Sequence, residues 1–240
     1  HDISTRVFSH VIDFVKKDYL VQESTEDETR QIILQDSVIM NQLLCDGISV
    51  DEVSDYHLYP IADNDSPRLS SDRLEYTLGN LLNYRKHTIK EIEKYFNDLV
   101  VGISEYGSKE IMFQHPEIAE EFAFGALSCG IIYSCDFDRY GMEKLACILR
   151  KAFEETILTE SDLYLTEIEV IKKLSESCLH DAWNEYTRLQ DATKDFAGDL
   201  MVDAKKRYID PYICKHGRVT TFSAAFKNAV NEFKNTDYHY

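Results

Sequence analysis

The sequence predicts an all-α protein, and two observations support that prediction. Only 9 Gly and 4 Pro occur in 240 residues, too few for a β protein built on tight turns. Long stretches contain neither residue, and their apolar residues recur with a helical period. Hydrophobic residues make up 44% of the chain, enough for a sizeable core. We expect helices throughout, including a helical C-terminal region, with a small β element as the one exception.

The first two helices are predicted from period and end signals. Apolar residues follow a helical period from Thr5 to Leu20. A second helix is predicted over 22–47, because Ser24 or Thr25 can cap its start and Gly47 can stop it.

The next segments alternate helix and loop. "SVDEVSDY" predicts a short helix, and "HLYPIADNDSPRL" predicts a loop rich in Asp, Asn and Pro. "SSDRLEYTLGNLLNYR" predicts a further helix with Ser70 or Ser71 as its cap.

The rest of the chain predicts mainly helices. They are "TIKEIEKYFNDLVVGI", "PEIAEEFAFGALSCGIIYS", "DRYGMEKLACILRKAFEETI", "LTEIEVIKKLSESCLHDAWNEYTRLQ" and "TFSAAFKNAVNEFKN". "AKKRYIDPYI" contains β-favouring residues, so we expect any strand within 203–221. No internal repeat or low-complexity linker occurs, and the loop 101–110 is the best candidate for a boundary.

The charge of the chain limits its partners. The formal net charge is −17 and the isoelectric point is about 4.8, so we expect no binding to nucleic acid or to an anionic membrane surface. A small phosphorylated ligand can still bind to so acidic a chain if a divalent metal neutralises the charge of its phosphate. No apolar run reaches the length of about 20 residues that a membrane span needs, and no signal peptide is recognisable. We therefore expect a cytoplasmic protein, and a homo-oligomer is compatible with the sequence.

The six cysteines are scattered and form no CxxC pair. That spacing favours buried, reduced cysteines over a zinc site or a disulfide framework.

Two residue pairs near the start have side chains suited to metal binding and to acid–base catalysis. His1 and Asp2 offer an imidazole nitrogen and a carboxylate oxygen, the ligand mix that suits divalent transition metals. His10 and Asp13 are spaced i,i+3, so they share a helical face. A carboxylate there can hold the tautomer of the imidazole, which suits a general acid or base near neutral pH.

Two segments resemble a known family. "HDISTRVFSHVIDF" resembles a signature of HD-domain metal-dependent phosphohydrolases, especially the branch that hydrolyses deoxynucleoside triphosphates. That signature has a His-Asp pair, a Gly-rich step, "FSH" and an acidic residue three positions later. "SSDRLEYTLGN" is similar to the downstream signature, in which an Asp is followed by a basic residue, a hydrophobic residue, an acid and a Tyr. The resemblance covers residues 1–85.

The resemblance implies a metal centre and a catalytic pair. His1, Asp2 and Asp72 would bind a divalent transition metal (Mn, Fe, Ni, Zn or Co), with Mg as an alternative. His10 and Asp13 would be the catalytic His and its acidic partner. The family has a further metal-binding His upstream, so we expect the first helices of the domain to precede this segment.

The resemblance also implies substrate contacts. Arg73 and Tyr76 would meet the phosphates, and Asn80 falls where the nucleotide-hydrolysing branch has an Asp near the sugar. "STRV" replaces the Gly-rich step, which implies a differently shaped entrance at which Arg6 can reach a phosphate. On the basis of this resemblance we expect residues 1–100 to form an HD-type core. We expect residues 101–240 to form a helical extension, either part of the same domain or an accessory subdomain.

The function that the resemblance implies is a metal-dependent phosphohydrolase acting on a nucleotide or another small phosphate ester. Two alternatives on the same core are a nucleotide-binding regulatory module with weak or no turnover and a cyclic-(di)nucleotide phosphodiesterase. Three other histidines, His57, His115 and His180, lack a flanking signature and are assigned structural roles, although Asp181 follows His180 directly.

Overall fold

The computed structural model describes residues 2–17, 28–190, 203 and 205–237. Its helices are α1 (Val11–Lys16), α2 (Thr29–Gln35), α3 (Ser37–Asp46), α4 (Val50–Ser54), α5 (Ser71–Asn83), α6 (Ile89–Asn97), α7 (Pro116–Tyr133), α8 (Asp136–Glu154), α9 (Glu167–Ser175), α10 (His180–Thr187), α11 (Val219–Phe222) and α12 (Ala224–Asn235). Its strands are β1 (Leu99–Ile103), β2 (Lys109–Phe113), β3 (Tyr212–Ile213) and β4 (Gly217–Arg218). The protein is mostly helical, as the composition predicted.

The chain divides into two compact units, and each has its own hydrophobic core. The first unit comprises the described residues of His1–Asp55 and Cys135–Lys205, and the second those of Tyr56–Ser134 and Lys206–Tyr238. Each unit is therefore built from two separate stretches of the chain.

In the first unit, α1 packs against α8, and α9 and α10 complete the core. The apolar residues that α1 and α8 bury follow the helical period seen in the sequence: Val11, Ile12, Phe14, Leu145, Ala146, Ile148, Leu149 and Ala152. α1 is shorter than the helix predicted from Thr5 to Leu20. Phe8 and Ser9 have φ values of 60° and 41°, a left-handed turn that a helix cannot include, so α1 begins at Val11.

The helix predicted over 22–47 is two helices within the described residues. The Asp36 carboxylate accepts hydrogen bonds from the N–H groups of Val38 and Ile39, so Asp36 ends α2 and caps α3. Gly47 stops α3 with φ 68°, as predicted. The proposed caps Ser24 and Thr25 lie outside the described residues.

The second unit contains α5–α7, α11, α12 and a four-stranded sheet in the order β1-β2-β3-β4. Its core is formed mainly by Leu81, Tyr95, Phe113, Phe122, Phe226 and Phe233, all almost fully buried. β1 pairs antiparallel with β2, β2 parallel with β3, and β3 antiparallel with β4. The Ser70 hydroxyl accepts from the Arg73 N–H and caps α5, as one of the two predicted caps.

Two predictions about β structure have different outcomes. β3 and β4 lie within 203–221, as expected. The helix predicted for "TIKEIEKYFNDLVVGI" is wrong after Asn97, because its last residues form β1. The β-branched residues of "LVVGI" and the turn at Gly107 (φ 75°) favour a hairpin there over a continued helix.

All six cysteines are free thiols. Cys129 and Cys135 are buried as expected, whereas Cys45 and Cys178 are exposed, so the expectation of burial is wrong for those two. Among the described residues, no single helix is both long and apolar enough to cross a membrane. The consecutive helices α7 and α8 reach the necessary length and apolar composition only when they are taken together.

Candidate functional site

A tight turn places His10 at the start of α1. The Val7 N–H donates to the Leu163 carbonyl at 2.8 Å, and the Val11 N–H donates to the Phe8 carbonyl at 2.9 Å. The left-handed residues Phe8 and Ser9 lie between these two bonds. A left-handed conformation in a bulky non-glycine residue is rare and persists where the surroundings hold it. The two residues with a left-handed backbone thus lie directly before His10, and not in the "STRV" segment that replaces the Gly-rich step.

His10 and Asp13 form a hydrogen-bonded pair. The Nδ1 atom of His10 lies 3.1 Å from Oδ2 of Asp13. The Asp13 side chain is completely buried, while 56% of the His10 side chain is exposed. The i,i+3 spacing therefore brings together the two residues that the sequence paired, with the carboxylate inside and the imidazole outside.

An arginine on α8 anchors α1. Nη1 of Arg150 donates to the Phe14 carbonyl at 3.0 Å, and its guanidinium pairs with Glu143. This contact fixes the C-terminal end of α1, where free carbonyls favour a cation. The pair on α1 is therefore held by bonds at both ends of its helix.

Asp138 on α8 is a further carboxylate near His10. Burial raises the pKa of Asp138 to about 6, and charges on His10 and Arg139 partly oppose that rise. Burial, and then the charge of Asp138, raise the pKa of Tyr186 on α10. No local spacing in the sequence indicates Asp138, because its approach to His10 depends on the packing of α8 against α1.

Arg6 is bound within the first unit. Its side chain is 6% exposed, and it contacts the Tyr164 hydroxyl at 3.3 Å and the Glu28 carboxylate at 3.4 Å. The Tyr164 hydroxyl donates to the same carboxylate at 2.7 Å. A phosphate contact for Arg6 stays a prediction, and it would require competition with Glu28.

The second unit carries the other predicted residues on α5. Asp72, Tyr76 and Asn80 are spaced i,i+4,i+8, so they follow one face of that helix, and Arg73 lies beside them. We call Asp72, Arg73, Tyr76 and Asn80 the α5 face. The structure thus brings these four together along one helix, as their spacing requires.

Arg73 already has partners on the preceding loop. Its Nη1 atom lies 2.9 Å from Oδ1 of Asp63, 3.0 Å from Oδ1 of Asn64 and 2.9 Å from the Ser70 hydroxyl. Its Nη2 donates to the Asn64 carbonyl. These bonds show that Arg73 holds the loop onto the start of α5.

Tyr76 and Asn80 border a group of polar side chains. Burial raises the pKa of Tyr76, and the Arg73 charge opposes that rise. The Asn80 amide donates to the Tyr133 hydroxyl. Burial raises the pKa of Tyr133 as well, and among its other neighbours is the buried Cys129 thiol.

The predicted metal ligands are only partly described. His1 lies outside the described residues, Asp2 begins a short 3-10 helix in the first unit, and Asp72 lies in the first turn of α5 in the second unit. Within the described part of the chain, no three His, Cys, Asp or Glu side chains are grouped so that they could hold a metal ion. The metal site, which includes His1, stays a prediction.

Two of the remaining histidines have defined partners. His180 donates from Nδ1 to the Ser175 carbonyl and accepts at Nε2 from the Asn184 amide, both at 2.8 Å, which is a structural role. His115 pairs with the buried carboxylate of Asp98, a partner that local sequence did not indicate. The hydrogen bond and the charge of Asp98 raise the pKa of His115.

Comparison with known proteins gives a distant relative. "Uncharacterized protein YdhJ" from Bacillus subtilis (strain 168) is 26% identical over 220 residues, which cover 89% of this chain and 65% of that protein. The chain thus matches less than two thirds of the length of that curated relative. No family model matches the chain, and no solved structure matches it.

Proposed function

We propose that this chain belongs to a metal-dependent phosphohydrolase with an HD-type core, acting on a nucleotide or another small phosphate ester. The observation that carries the proposal is the His10–Asp13 pair, in which a fully buried carboxylate holds an exposed imidazole. The left-handed turn before His10 and the anchoring of α1 by Arg150 support it, because a catalytic group must be held in a fixed geometry.

The proposed step is a proton transfer by His10. Asp13 accepts the Nδ1–H of the imidazole, which leaves Nε2 as the atom that exchanges a proton with the substrate. In the forward direction, a water oxygen forms a new bond to phosphorus and loses a proton to solvent while the bond to the leaving oxygen breaks. The leaving oxygen takes the Nε2 proton of a protonated His10. Asp13 stabilises the imidazolium without itself taking the proton.

The α5 face supports a phosphorylated substrate. The guanidinium of Arg73 presents several N–H donors in a planar arrangement that matches phosphate oxygens. Tyr76 and Asn80 lie on the next turns of the same helix. Because Arg73 also bonds to Asp63 and Asn64, an incoming phosphate would have to compete for the same donors. This arrangement favours modest affinity unless the loop before α5 rearranges.

A divalent cation bound by His1, Asp2 and Asp72 is part of the proposal on the basis of the resemblance alone. Such an ion stabilises charge on phosphoryl oxygens. Since the described residues do not by themselves supply a three-ligand cluster, we assign it no step.

A regulatory nucleotide-binding module is the second candidate. The bonds of Arg73 to Asp63, Asn64 and Ser70 favour it, because they give that arginine a structural role that needs no turnover. The two candidates make the same prediction for binding and opposite predictions for hydrolysis.

The test is phosphate release by the full-length protein, supplied in turn with Mn²⁺, Fe²⁺, Ni²⁺, Zn²⁺, Co²⁺ and Mg²⁺. The substrates are nucleoside mono- and triphosphates, cyclic mono- and dinucleotides and a chromogenic phosphate ester. We expect hydrolysis that His10→Ala reduces and that the matched change His57→Ala leaves intact. Nucleotide binding without hydrolysis would favour the regulatory module. If the protein neither binds nor hydrolyses any of these compounds, both candidates are refuted.

A further inference from the structure

β1 is the outermost strand of the sheet in the second unit. The strand order β1-β2-β3-β4 leaves one long side of β1 without a neighbouring strand among the described residues. β1 has five residues, whereas β4 at the other edge has two. The sheet therefore has one long edge and one short edge.

The hydrogen-bond register defines which groups of β1 face outward. The Gln114 N–H donates to the Asp98 carbonyl at 3.1 Å, and the Ser104 N–H donates to the Ser108 carbonyl at 2.9 Å. Because bonded positions alternate along an antiparallel pair, residues 98, 100, 102 and 104 bond towards β2. The N–H and C=O groups of Leu99, Val101 and Ile103 consequently point away from the sheet.

The outward edge lacks the usual protection against pairing. The strand "LVVGI" contains no charged residue and no proline, the two commonest devices that prevent contact between edges. Val101 and Ile103 are 58% and 62% exposed, on the same face of the strand. β4, in contrast, is short and contains Arg218, so it is protected.

The hairpin that carries β1 is rigidly attached. The Tyr106 ring at its tip lies 5.5 Å from the guanidinium carbon of Arg68 and 5.9 Å from that of Arg218. Arg218 also bonds to Glu105 in the same turn at 2.8 and 3.0 Å. An edge that is already ordered loses little conformational entropy when it pairs.

We propose that two copies of this chain form a dimer through antiparallel pairing of their β1 strands, with the twofold axis at Val101. In that register each Val101 lies opposite the Val101 of the other copy, and Leu99 lies opposite Ile103. These are three pairs of outward-facing residues with two backbone hydrogen bonds each, or six bonds. The product is a continuous eight-stranded sheet.

The sequence of the edge favours a second copy as the occupant. Its side chains at 99, 101 and 103 are all apolar, so reversing the strand about Val101 superimposes apolar residues on apolar residues. A twofold contact uses the same patch on both copies and is therefore closed. The edges that remain are the two protected β4 strands, which explains why pairing would stop at two copies.

The test is the mass of the full chain in solution, measured by sedimentation velocity over a range of concentrations. We expect a dimer for the unmodified protein. Val101→Lys places two ammonium groups opposite each other at the axis, so we expect the dissociation constant to rise at least about a hundredfold. The control is Val38→Lys on α3, which makes the same change at a residue that is 77% exposed and outside the sheet; it should leave the dimer intact.

A cross-linking experiment identifies the register. Val101→Cys, with Cys45→Ser and Cys178→Ser to remove the exposed thiols, should be joined into dimers by a short bismaleimide. Val38→Cys in the same background should not. A monomer at all concentrations would overturn the proposal. So would a dimer that Val38→Lys dissociates and Val101→Lys does not, because the interface would then be α3.

Discussion

The carboxylate of Asp13 is fully buried, yet its Oδ2 lies 3.1 Å from Nδ1 of His10, a residue whose side chain is 56% exposed. Burying a carboxylate is costly unless hydrogen bonds satisfy it. The surface position of His10 is therefore coupled to the interior of the first unit through one hydrogen bond. A change at His10 should affect chemistry more than folding, whereas a change at Asp13 should affect both.

The first prediction concerns that division. His10→Ala should lower turnover by about 10²–10⁴, the range that general acid–base catalysis supplies. The metal content should not change, because His10 is not among the proposed ligands. The measurements are kcat in the full-length protein and elemental analysis of the same samples. Loss of metal in step with activity would show that His10 is a ligand and that the assigned roles are wrong.

The second prediction concerns the proposed ligands. Asp2→Ala and Asp72→Ala should each lower both metal content and activity, because a missing carboxylate leaves an incomplete coordination sphere. Asp65→Ala is the control, since the Asp65 side chain is 93% exposed and lies in the same unit as Asp72. Elemental analysis after dialysis is the measurement. Full metal content in both variants would refute this ligand set.

The third prediction uses the partly buried carboxyl of Asp138. Its pKa of about 6 lies above the ordinary 3.8, so the fold favours the protonated form. Its contribution to stability is complete below about pH 4 and is lost as the pH rises through 6. Asp138→Asn removes that loss. A pKa difference of this size corresponds to at most about 3 kcal/mol in the free energy of unfolding.

Urea unfolding at pH 4.5 and pH 8 measures this effect. We expect Asp138→Asn to be more stable than the unmodified protein at pH 8 and to differ less at pH 4.5. The matched change at the exposed Asp181 should alter stability little at either pH. Equal stabilisation at both pH values would mean that the effect comes from packing and not from titration.

Sequence alone predicted the features that depend on nearby residues. The Ser70 cap, the Gly47 stop and the His10–Asp13 pair are all set within three or four positions along the chain. Local spacing determines these contacts, because a helix brings i and i+3 together whatever else the protein contains.

Features that depend on tertiary packing were not predictable in this way. Asp138 approaches His10 only because α8 packs against α1. Asp98 meets His115 only because β1 and β2 form a hairpin. β1 itself follows α6 without a Gly or Pro between them, so an apolar run there is compatible with either helix or strand.

The fourth prediction concerns the ion pair of Glu110 and Arg218. Glu110 is 1% exposed, and its Oε2 accepts from Nη2 of Arg218 at 2.8 Å. Arg218→Met leaves a buried carboxylate without its cation, which typically costs about 3–5 kcal/mol. Glu110→Gln keeps the shape and leaves Arg218 its bonds to Glu105, so it should cost less. Urea unfolding at pH 7 measures both, and a larger loss for Glu110→Gln would contradict this account.

The fifth prediction concerns His115 and Asp98. Asp98 raises the pKa of His115 through a hydrogen bond and its charge. A raised histidine pKa stabilises the fold fully below the unfolded value of about 6.5, and that stabilisation is lost as the pH rises through the folded value. His115→Gln should therefore lower the melting temperature more at pH 5.5 than at pH 8.5.

Thermal unfolding of a double-mutant cycle separates this charge effect from other roles of the two residues. Asp98 also accepts the backbone N–H groups of Gln114 and His115, both at 3.0 Å, so Asp98→Asn is destabilising at every pH. In the Asp98→Asn background only the weaker charge effect of Glu117 still favours the imidazolium, so the loss caused by His115→Gln should depend much less on pH. A pH dependence as large as in the unmodified background would show that Asp98 is not the main group that stabilises the charged histidine.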